Sequence, residues 1–271
     1  MIDNFNRSIN YLRISVTDRC NLRCKYCMPQ EGIKLLDHSQ IITFDQIREF
    51  AQAAIICGIN KIRLTGGEPL VRKDIVKLVK MISSLNGVTD LSMTTNGTLL
   101  SKFSKDLKDA GLMRVNVSLD TIDPSEYRDI TRGGEISEVI EGIKSAIESN
   151  LTPVKINCVV KESRQEANAI SVAKLGEKLG CIVRFIPQMN LETGHFGIVD
   201  GGTGGNCKLC NRIRLTSNGR IHPCLFSDSY IEISKYGNSI EGYIKAIKET
   251  ILIKPSKGKS NHTDKFYNIG G

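Results

Sequence analysis

Short runs of aliphatic and β-branched residues alternate with longer amphipathic stretches over most of the chain. Between the short runs, apolar residues recur at helical spacing, as at Ile75, Leu78, Val79 and Ile82. Six strand–helix pairs in sequential order predict a parallel sheet with right-handed crossovers. The predicted strands cover residues 11–16, 61–65, 88–94, 112–118, 153–160 and 181–186.

The residues that follow these strands help to choose between a barrel and an open sheet. Polar residues or glycines come at or directly after the strand ends, as at Thr17-Asp18, Gly66-Gly67, Thr94-Thr95 and Ser118. Polar carboxyl ends on every strand are typical of a β/α barrel mouth, whereas an open sheet concentrates them at its switch point. We therefore predict an α/β fold, a partial (β/α)6 TIM-like barrel over residues 1–190.

The character of the sequence changes after residue 190, and we predict a shortened C-terminal region over residues 191–271. Residues 193–206 are rich in glycine, and a hairpin candidate follows with Asn218-Gly219 as a type I′ turn signal. A further helix is predicted around residues 239–252.

Composition narrows the class of protein. The 271 residues are 40% hydrophobic and carry a net charge of +8, which predicts a folded domain and favours an anionic partner. No run approaches the roughly 20 apolar residues of a membrane helix, and the first residues lack a secretory signal. We expect a cytoplasmic protein that binds no membrane. The chain has no Trp and no long basic run, so we favour a small anion over nucleic acid.

Nine cysteines are many for a reducing compartment and favour metal binding. Cys20, Cys24 and Cys27 form a C-x3-C-x2-C loop after the first strand. Three thiolates fill three of the four iron positions of a 4Fe–4S cluster and leave one iron open. The alternative is a zinc site that takes a fourth ligand from elsewhere.

A second group, Cys207, Cys210 and Cys224, has the spacing C-x2-C-x13-C. Its alternative is a zinc site with His222 as the fourth ligand, because His222 shares a strand face with Cys224. Arg212 and Arg214 follow at alternate positions, so on a strand they face one side and suit an anion, although a solvated edge gives the same pattern.

These motifs together resemble one family. The cysteine loop with Tyr26 and the turn Gly66-Gly67-Glu68-Pro69 resemble the radical S-adenosylmethionine (SAM) signature. The wider set resembles the GTP 3′,8-cyclase family of molybdenum cofactor biosynthesis. Its members are the segments LRISVTDRCNLRCKYCMP, KIRLTGGEPLVRKD, TTNGTLL, AGLMRVNVSLD, VKINCVV, RFI and NRIRLTSNGR, the six cysteines, and the terminal Gly-Gly.

This resemblance implies an enzyme that converts GTP to (8S)-3′,8-cyclo-7,8-dihydroguanosine 5′-triphosphate, with two 4Fe–4S clusters and SAM as cofactors. It assigns the six cysteines to the clusters, and it implies that the C-terminal region is a small auxiliary-cluster and substrate-binding domain. It places SAM against Tyr26, Gly67, Ser118 and Met189. It places GTP against Arg13, Arg63, Thr94, Lys155, Arg212 and Arg214, with Arg184 and Lys61 as further candidates.

The resemblance also implies an electron donor, a downstream cyclic pyranopterin phosphate synthase, a homodimer, and a C-terminal tail, Gly270-Gly271, that assists the reaction. The chain departs from the family between Met189 and Cys207, where the family has a longer segment. Two other functions therefore stay open: an auxiliary-cluster radical SAM enzyme with a peptide or another small substrate, and a non-catalytic zinc- or nucleotide-binding protein. The remaining cysteines are predicted to be inert buried thiols: Cys57, Cys158 and Cys181.

Overall fold

The computed structural model describes residues 1–270, and within that range it contains one nine-stranded sheet and eight α-helices. The strands are β1 Tyr11–Ser15, β2 Lys61–Thr65, β3 Asp90–Thr95, β4 Arg114–Ser118, β5 Lys155–Val160, β6 Ile182–Pro187, β7 Arg212–Leu215, β8 Arg220–His222 and β9 Ile231–Glu232. The helices are α1 Phe44–Ile56, α2 Ile75–Ser83, α3 Leu100–Asp109, α4 Pro124–Thr131, α5 Ile136–Glu148, α6 Ala167–Lys178, α7 Ile240–Leu252 and α8 Phe266–Ile269.

Strands β1 to β6 lie side by side in chain order, and every neighbouring pair is parallel. Each predicted strand is present, and helices connect successive strands. The amphipathic pattern that predicts α2 is borne out, because Ile75, Leu78, Val79 and Ile82 are all buried. Their apolar side chains belong to one continuous core with the strands, which holds the carboxyl ends of the strands at a common edge.

The connection between β4 and β5 holds two helices instead of one. Asp123 caps α4 by accepting a hydrogen bond from the Glu126 amide at 2.8 Å, and Pro124 occupies the first turn as its sequence predicts. Arg132 ends α4 in the left-handed conformation with φ of 55°. The Gly133-Gly134 pair that follows gives the chain the freedom to restart as α5.

The C-terminal region continues the same sheet. β7 pairs in parallel with β1, and β8 and β9 add to it in antiparallel fashion. The predicted hairpin is present, but the predicted type I′ turn is wrong. Only Gly219 has a positive φ, of 80°, and Thr216 accepts a hydrogen bond from its amide, so a single left-handed glycine closes the loop. The division at residue 190 stays a prediction.

Two further segments complete the fold. Residues 197–205 run beside β6, where Phe185 and Asp200 exchange backbone hydrogen bonds of 3.1 and 3.0 Å. This short bridge covers part of the exposed strand edge.

Helix α7 confirms the helix predicted around 239–252 and packs on α1, with the Phe50 and Tyr243 rings 5.6 Å apart. Among the described helices, none has the length and apolar character needed to cross a bilayer.

Candidate active site

Strand register places three arginines in one row across the sheet. Arg13 on β1 is in register with Arg63 on β2 and with Arg214 on β7. Side chains in register on neighbouring strands project from the same face. The spacing of Arg212 and Arg214 predicts the shared face of those two. The row itself depends on β7 pairing with β1, which no local pattern reveals.

The arginine row lies in a cavity of about 360 Å³ at the barrel mouth. Of the predicted residues, Arg13, Arg63, Thr94, Met189, Arg212 and Arg214 line it, as do Lys61 and Arg184. The volume falls in the usual range for a small-molecule site, roughly 300–1,000 Å³. Asp90 is the single acidic residue among the described lining residues, and it pairs with Arg114 at 2.5 Å. The cavity therefore carries a strong positive charge.

Burial and mutual repulsion destabilise the charged form of these arginines. The pKa of Arg63 falls to about 9 because the guanidinium is buried and because Arg13, Arg114 and Arg184 lie nearby. Burial, and then Arg13 and Arg212, hold the pKa of Arg214 well below its usual value. Crowded cations of this kind are stabilised by a bound polyanion, so the cavity is suited to a triphosphate.

The ring of Tyr11 lies at the centre of this group, a role that its position at a strand start did not predict. The guanidinium carbons of Arg13, Arg63 and Arg212 lie 5.7, 5.4 and 5.8 Å from its ring centroid, within cation–π distance. Within the part of the chain that the structure describes, the buried Nε atoms of Arg13 and Arg212 have no hydrogen-bond partner. Both donors are available to an acceptor in the cavity.

The first cysteine set lies in the loop after β1. The Cys24 carbonyl accepts hydrogen bonds from the amides of Cys27 and Met28 at 3.0 and 2.9 Å, which turns the loop on itself. Arg132 fixes the loop by donating to the carbonyls of Arg23 and Met28, each at 2.9 Å. The loop thereby brings its three thiols together.

The charges of the first set suit a metal cluster. Burial, together with the nearby thiols of Cys27 and Cys20, raises the pKa of Cys24 to about 12. Burial and Cys20 likewise raise the pKa of Cys27 to about 12. Three neighbouring, partly buried thiolates repel one another unless a cation lies between them, and an iron–sulfur cluster supplies that charge. The residues present fit such a cluster.

The Gly66-Gly67-Glu68-Pro69 turn packs directly under this loop. The amide of Gly67 donates to the Thr17 carbonyl at 2.7 Å, and that of Glu68 to the Arg19 carbonyl at 2.8 Å. The buried Glu68 carboxylate accepts from the amides of Leu70 and Asn96 and from the Thr95 hydroxyl. Burial raises the pKa of Glu68 to about 7 in spite of these bonds. The turn thus joins the cysteine loop to the end of β3.

The residues predicted for SAM fall in two places. The Tyr26 side chain lies near Asp120, and 40% of the Tyr26 surface is exposed. Ser118 ends β4 beside Asn157. Met189 instead lines the cavity and packs near the second cysteine set. Lys155, predicted for GTP, is not among the described lining residues, but it starts β5 close to Arg184, Arg114 and Arg63.

The second cysteine set opens into the same cavity. Cys207, Cys210 and Cys224 all line it. Burial raises the pKa of Cys210, but Lys254 and Arg212 outweigh that effect and leave its pKa below the usual value. This set also fits a cluster, because a buried cation favours the thiolate that iron requires.

The structure does not support the zinc alternatives. His222 Nε2 lies 3.0 Å from Asp264 Oδ2, and the His222 ring packs against Tyr230. Among residues 1–270, no three His, Cys, Asp or Glu side chains are arranged to ligate a single metal ion. In a cubane each cysteine binds a different iron, so this result concerns single-ion sites. Burial raises the pKa of each remaining thiol, which supports the interpretation of inert cysteines: Cys57, Cys158 and Cys181. Cys57 and Cys158 are buried as predicted, whereas Cys181 is only partly buried.

Gly270 lies at the barrel mouth. The Gly270 carbonyl accepts a hydrogen bond from Arg214, one of the cavity arginines. Gly270 has a φ of 70°, and a Cβ atom there would lie 2.2 Å from the Thr65 hydroxyl. Only glycine fits this position. Gly271 lies outside the described residues, so the predicted role of the Gly270-Gly271 tail is not tested.

The chain resembles known proteins in sequence. Residues 14–169 match the family model of the radical SAM superfamily. The GTP 3′,8-cyclase of Thermodesulfovibrio yellowstonii is 40% identical over 97% of each chain, and that of Clostridium botulinum strain Langeland is 36% identical over all of both chains. The alignment with the first relative spans 312 positions against 271 residues here, so that relative has residues that this chain lacks.

Solved structures show the same fold. Streptococcus suis SuiB bound to S-adenosylmethionine superposes with a TM-score of 0.66 at 16% identity, over 85% of this chain and 64% of that one. Native anSMEcpe with bound AdoMet gives a TM-score of 0.62 at 15% identity, over 91% and 81%. They confirm the predicted partial TIM-like barrel, and the sequence relatives settle the family. The chain belongs to the radical SAM superfamily and, within it, to the GTP 3′,8-cyclase family.

Proposed function

We propose that this chain is a radical SAM lyase that converts GTP to (8S)-3′,8-cyclo-7,8-dihydroguanosine 5′-triphosphate in molybdenum cofactor biosynthesis. One observation carries the proposal: a single cavity is lined by the arginine row and by Cys207, Cys210 and Cys224. A site for a polyanion and a site for an open-iron cluster therefore share one chamber. The sequence relatives are named for this activity, and this chain aligns with nearly their full length.

The cofactors are SAM and two 4Fe–4S clusters, and each cluster is held by one of the two cysteine sets. Cys20, Cys24 and Cys27 would hold the first cluster, which would supply the electron for cleaving SAM to a radical able to take hydrogen from the substrate. Tyr26, Gly67 and Ser118 border this cluster's end of the barrel mouth and are proposed to hold SAM together with Met189. The buried position of Glu68 keeps the turn beneath the first set fixed.

The cavity arginines are proposed to bind the substrate. Arg13, Arg63, Arg212 and Arg214 are proposed to hold the triphosphate through paired N–H donors. Thr94 and Lys155 complete the set. Segment 197–205 contributes part of the cavity lining. A peptide substrate is not favoured, because a cavity with one acid among many cations selects for an anion.

GTP binding is expected to weaken by about tenfold between pH 7 and pH 9 because of Lys155. Burial and the neighbouring arginines lower the pKa of Lys155 to about 8 in the ligand-free protein. Above that pH the ligand-free side chain is neutral, and binding GTP must restore its proton. Equilibrium dialysis with GTP measures the effect. Lys155→Arg is expected to flatten the dependence, and an unchanged slope in this variant would assign the titration to another group.

The lowered pKa of Lys155 also affects the stability of the ligand-free protein, which changes with pH in the opposite direction to the affinity for GTP. Folded Lys155 loses its proton near pH 8, and unfolded Lys155 near its ordinary value of 10.5. Between these values the unfolded chain binds more protons, so the ligand-free protein gains stability as the pH rises. Affinity for GTP and stability without it are therefore expected to move in opposite directions above pH 8.

The activity assay uses anaerobically reconstituted protein with dithionite, SAM and GTP. The expected product is the cyclised nucleotide, identified by mass spectrometry and by its acid conversion to a pterin. Cleavage of SAM with both clusters intact, but with no product from GTP, would overturn the proposal. The proposal also includes a cytoplasmic location, an electron donor, a homodimer and a downstream cyclic pyranopterin phosphate synthase.

A further inference from the structure

Two buried cations contact the segments that carry the second cysteine set. Arg7 lies in the segment before β1 and is 7% exposed. Lys254 follows α7 and is 2% exposed. The proposed binding of GTP uses neither, and no motif in the sequence marks them. A buried cation must be hydrogen-bonded or paired, so the partners of these two residues define what they do.

Lys254 joins two of the cysteine-bearing segments. Its ammonium donates to the carbonyl of Arg212 at 2.8 Å and to the carbonyl of Pro223. Arg212 is two residues after Cys210, and Pro223 directly precedes Cys224. The ammonium charge also lies close enough to the Cys210 thiol to favour its thiolate form. The single ammonium of Lys254 therefore ties the start of β7, next to Cys210, to the end of the hairpin, next to Cys224.

Arg7 holds the third segment. Its guanidinium donates to the carbonyl of Cys207 at 2.9 Å, and to those of Pro255 and Ser256 at 2.7 and 3.1 Å. Its Nε pairs with the buried Asp3 carboxylate at 2.7 Å. Because Pro255 directly follows Lys254, Arg7 ties the Cys207 segment to the chain that carries the other cation. All three cysteine segments are thus fixed by two side chains.

We propose that Arg7 and Lys254, the Arg7–Lys254 brace, are positioning residues that preorganise the auxiliary-cluster cradle and favour the reduced state of the cluster. The inference rests on the proposed function in one respect, that the second set holds a cluster. Hydrogen bonds to the cysteine segments slow the opening of the cradle. The positive charge at Cys210 favours the more negative, reduced cluster, because charge close to a cluster tunes its potential.

The test isolates the second cluster in the full-length chain. A parent variant with Cys20, Cys24 and Cys27 all changed to Ala is reconstituted anaerobically, and it is expected to hold about four irons, the count of one cubane. Two quantities are measured: the rate at which a chelator removes iron, and the reduced fraction in a redox titration followed by electron paramagnetic resonance. A merely structural role would change the first and leave the second unchanged.

Adding Lys254→Met to the parent is expected to lower the ratio of reduced to oxidised cluster about tenfold at the parent's midpoint, a shift of about 59 mV for one electron. Iron loss is expected to be at least tenfold faster. Arg7→Met is expected to speed iron loss with a smaller change in potential, because Arg7 contacts backbone carbonyls and not a thiol. Lys257→Met changes an exposed lysine three residues away and is expected to leave both quantities unchanged.

Lys254→Arg keeps the charge, so its potential is expected to stay near that of the parent; it provides the comparison if the Met variant does not fold. A parent cluster whose potential and iron loss are unaffected by both Lys254 variants would overturn the brace alone. A parent that binds no iron would overturn the brace and the second-cluster half of the proposed function together. The GTP assay on the unmodified chain then reports the activity separately.

Discussion

Arg63→Met is expected to stabilise the ligand-free protein while lowering kcat/KM for GTP by at least about 100-fold, the usual scale for losing a buried charged partner. Arg63 is 5% exposed and has a pKa of about 9. A base whose pKa falls that far carries a folding penalty on the order of 5 kcal/mol below pH 9, where the folded state is still charged. Met fills a similar volume without that penalty, so we expect a net gain of about 1–3 kcal/mol after its lost contacts are counted.

Thermal unfolding of the cluster-free protein and steady-state turnover of the reconstituted protein measure the two effects. Arg128→Met serves as the matched control, because Arg128 is an exposed arginine that pairs with Glu135 far from the cavity. It is expected to change neither quantity appreciably. If Arg63→Met lowered the melting temperature and left kcat/KM unchanged, Arg63 would be a structural residue, and the cavity would not be organised around an anion.

Gly67→Ala is expected to remove the first cluster and abolish measurable SAM cleavage. A Cβ atom at this position would lie 2.3 Å from the Arg19 carbonyl oxygen and 2.7 Å from its carbon. Both are backbone atoms of the residue before Cys20, so the cysteine loop itself would have to move. The move would also break the hydrogen bond from the Glu68 amide to Arg19. We expect the free energy of unfolding to fall by about 3 kcal/mol, the upper end for overpacking.

Iron content, SAM cleavage and thermal unfolding test this prediction. Gly66→Ala provides a graded comparison, because its closest backbone contact would be 2.8 Å, to the Thr17 carbonyl oxygen. That variant is expected to lose less iron and less stability than Gly67→Ala. A Gly67→Ala protein with full iron content and normal SAM cleavage would show that the turn does not support the cysteine loop.

The sequence predicts the barrel half of the fold closely, for a local reason. Strands β1 to β6 are buried runs bounded by polar ends, and they pair in chain order, so pattern and order suffice. The turn at Asn218-Gly219 was predicted with the wrong type, because the Asn-Gly signal does not distinguish a two-residue loop from a longer one. The second helix after β4 was missed, since the break at Arg132 depends on one left-handed residue.

Local sequence motifs likewise predict one part of the candidate site and not the other. The cysteine loop and the Gly66-Gly67-Glu68-Pro69 turn are local motifs, and the structure packs them together. The alternation of Arg212 and Arg214 gives a common face, and both line the cavity. Tyr11, Arg7 and Lys254 carried no local signal. Their roles arise from contacts between residues far apart in the sequence, such as Arg7 with Cys207, which only the folded chain brings together.

The most direct test of the central claim follows a deuterium atom from substrate to cofactor. GTP labelled with deuterium at the ribose 3′ carbon is incubated anaerobically with the reconstituted protein, SAM and dithionite, and the 5′-deoxyadenosine is analysed by mass spectrometry. The account predicts one deuterium in 5′-deoxyadenosine and an equal amount of cyclised product. Unlabelled 5′-deoxyadenosine formed at the same rate with and without GTP would contradict it, because the radical would then not reach GTP in the arginine-lined cavity.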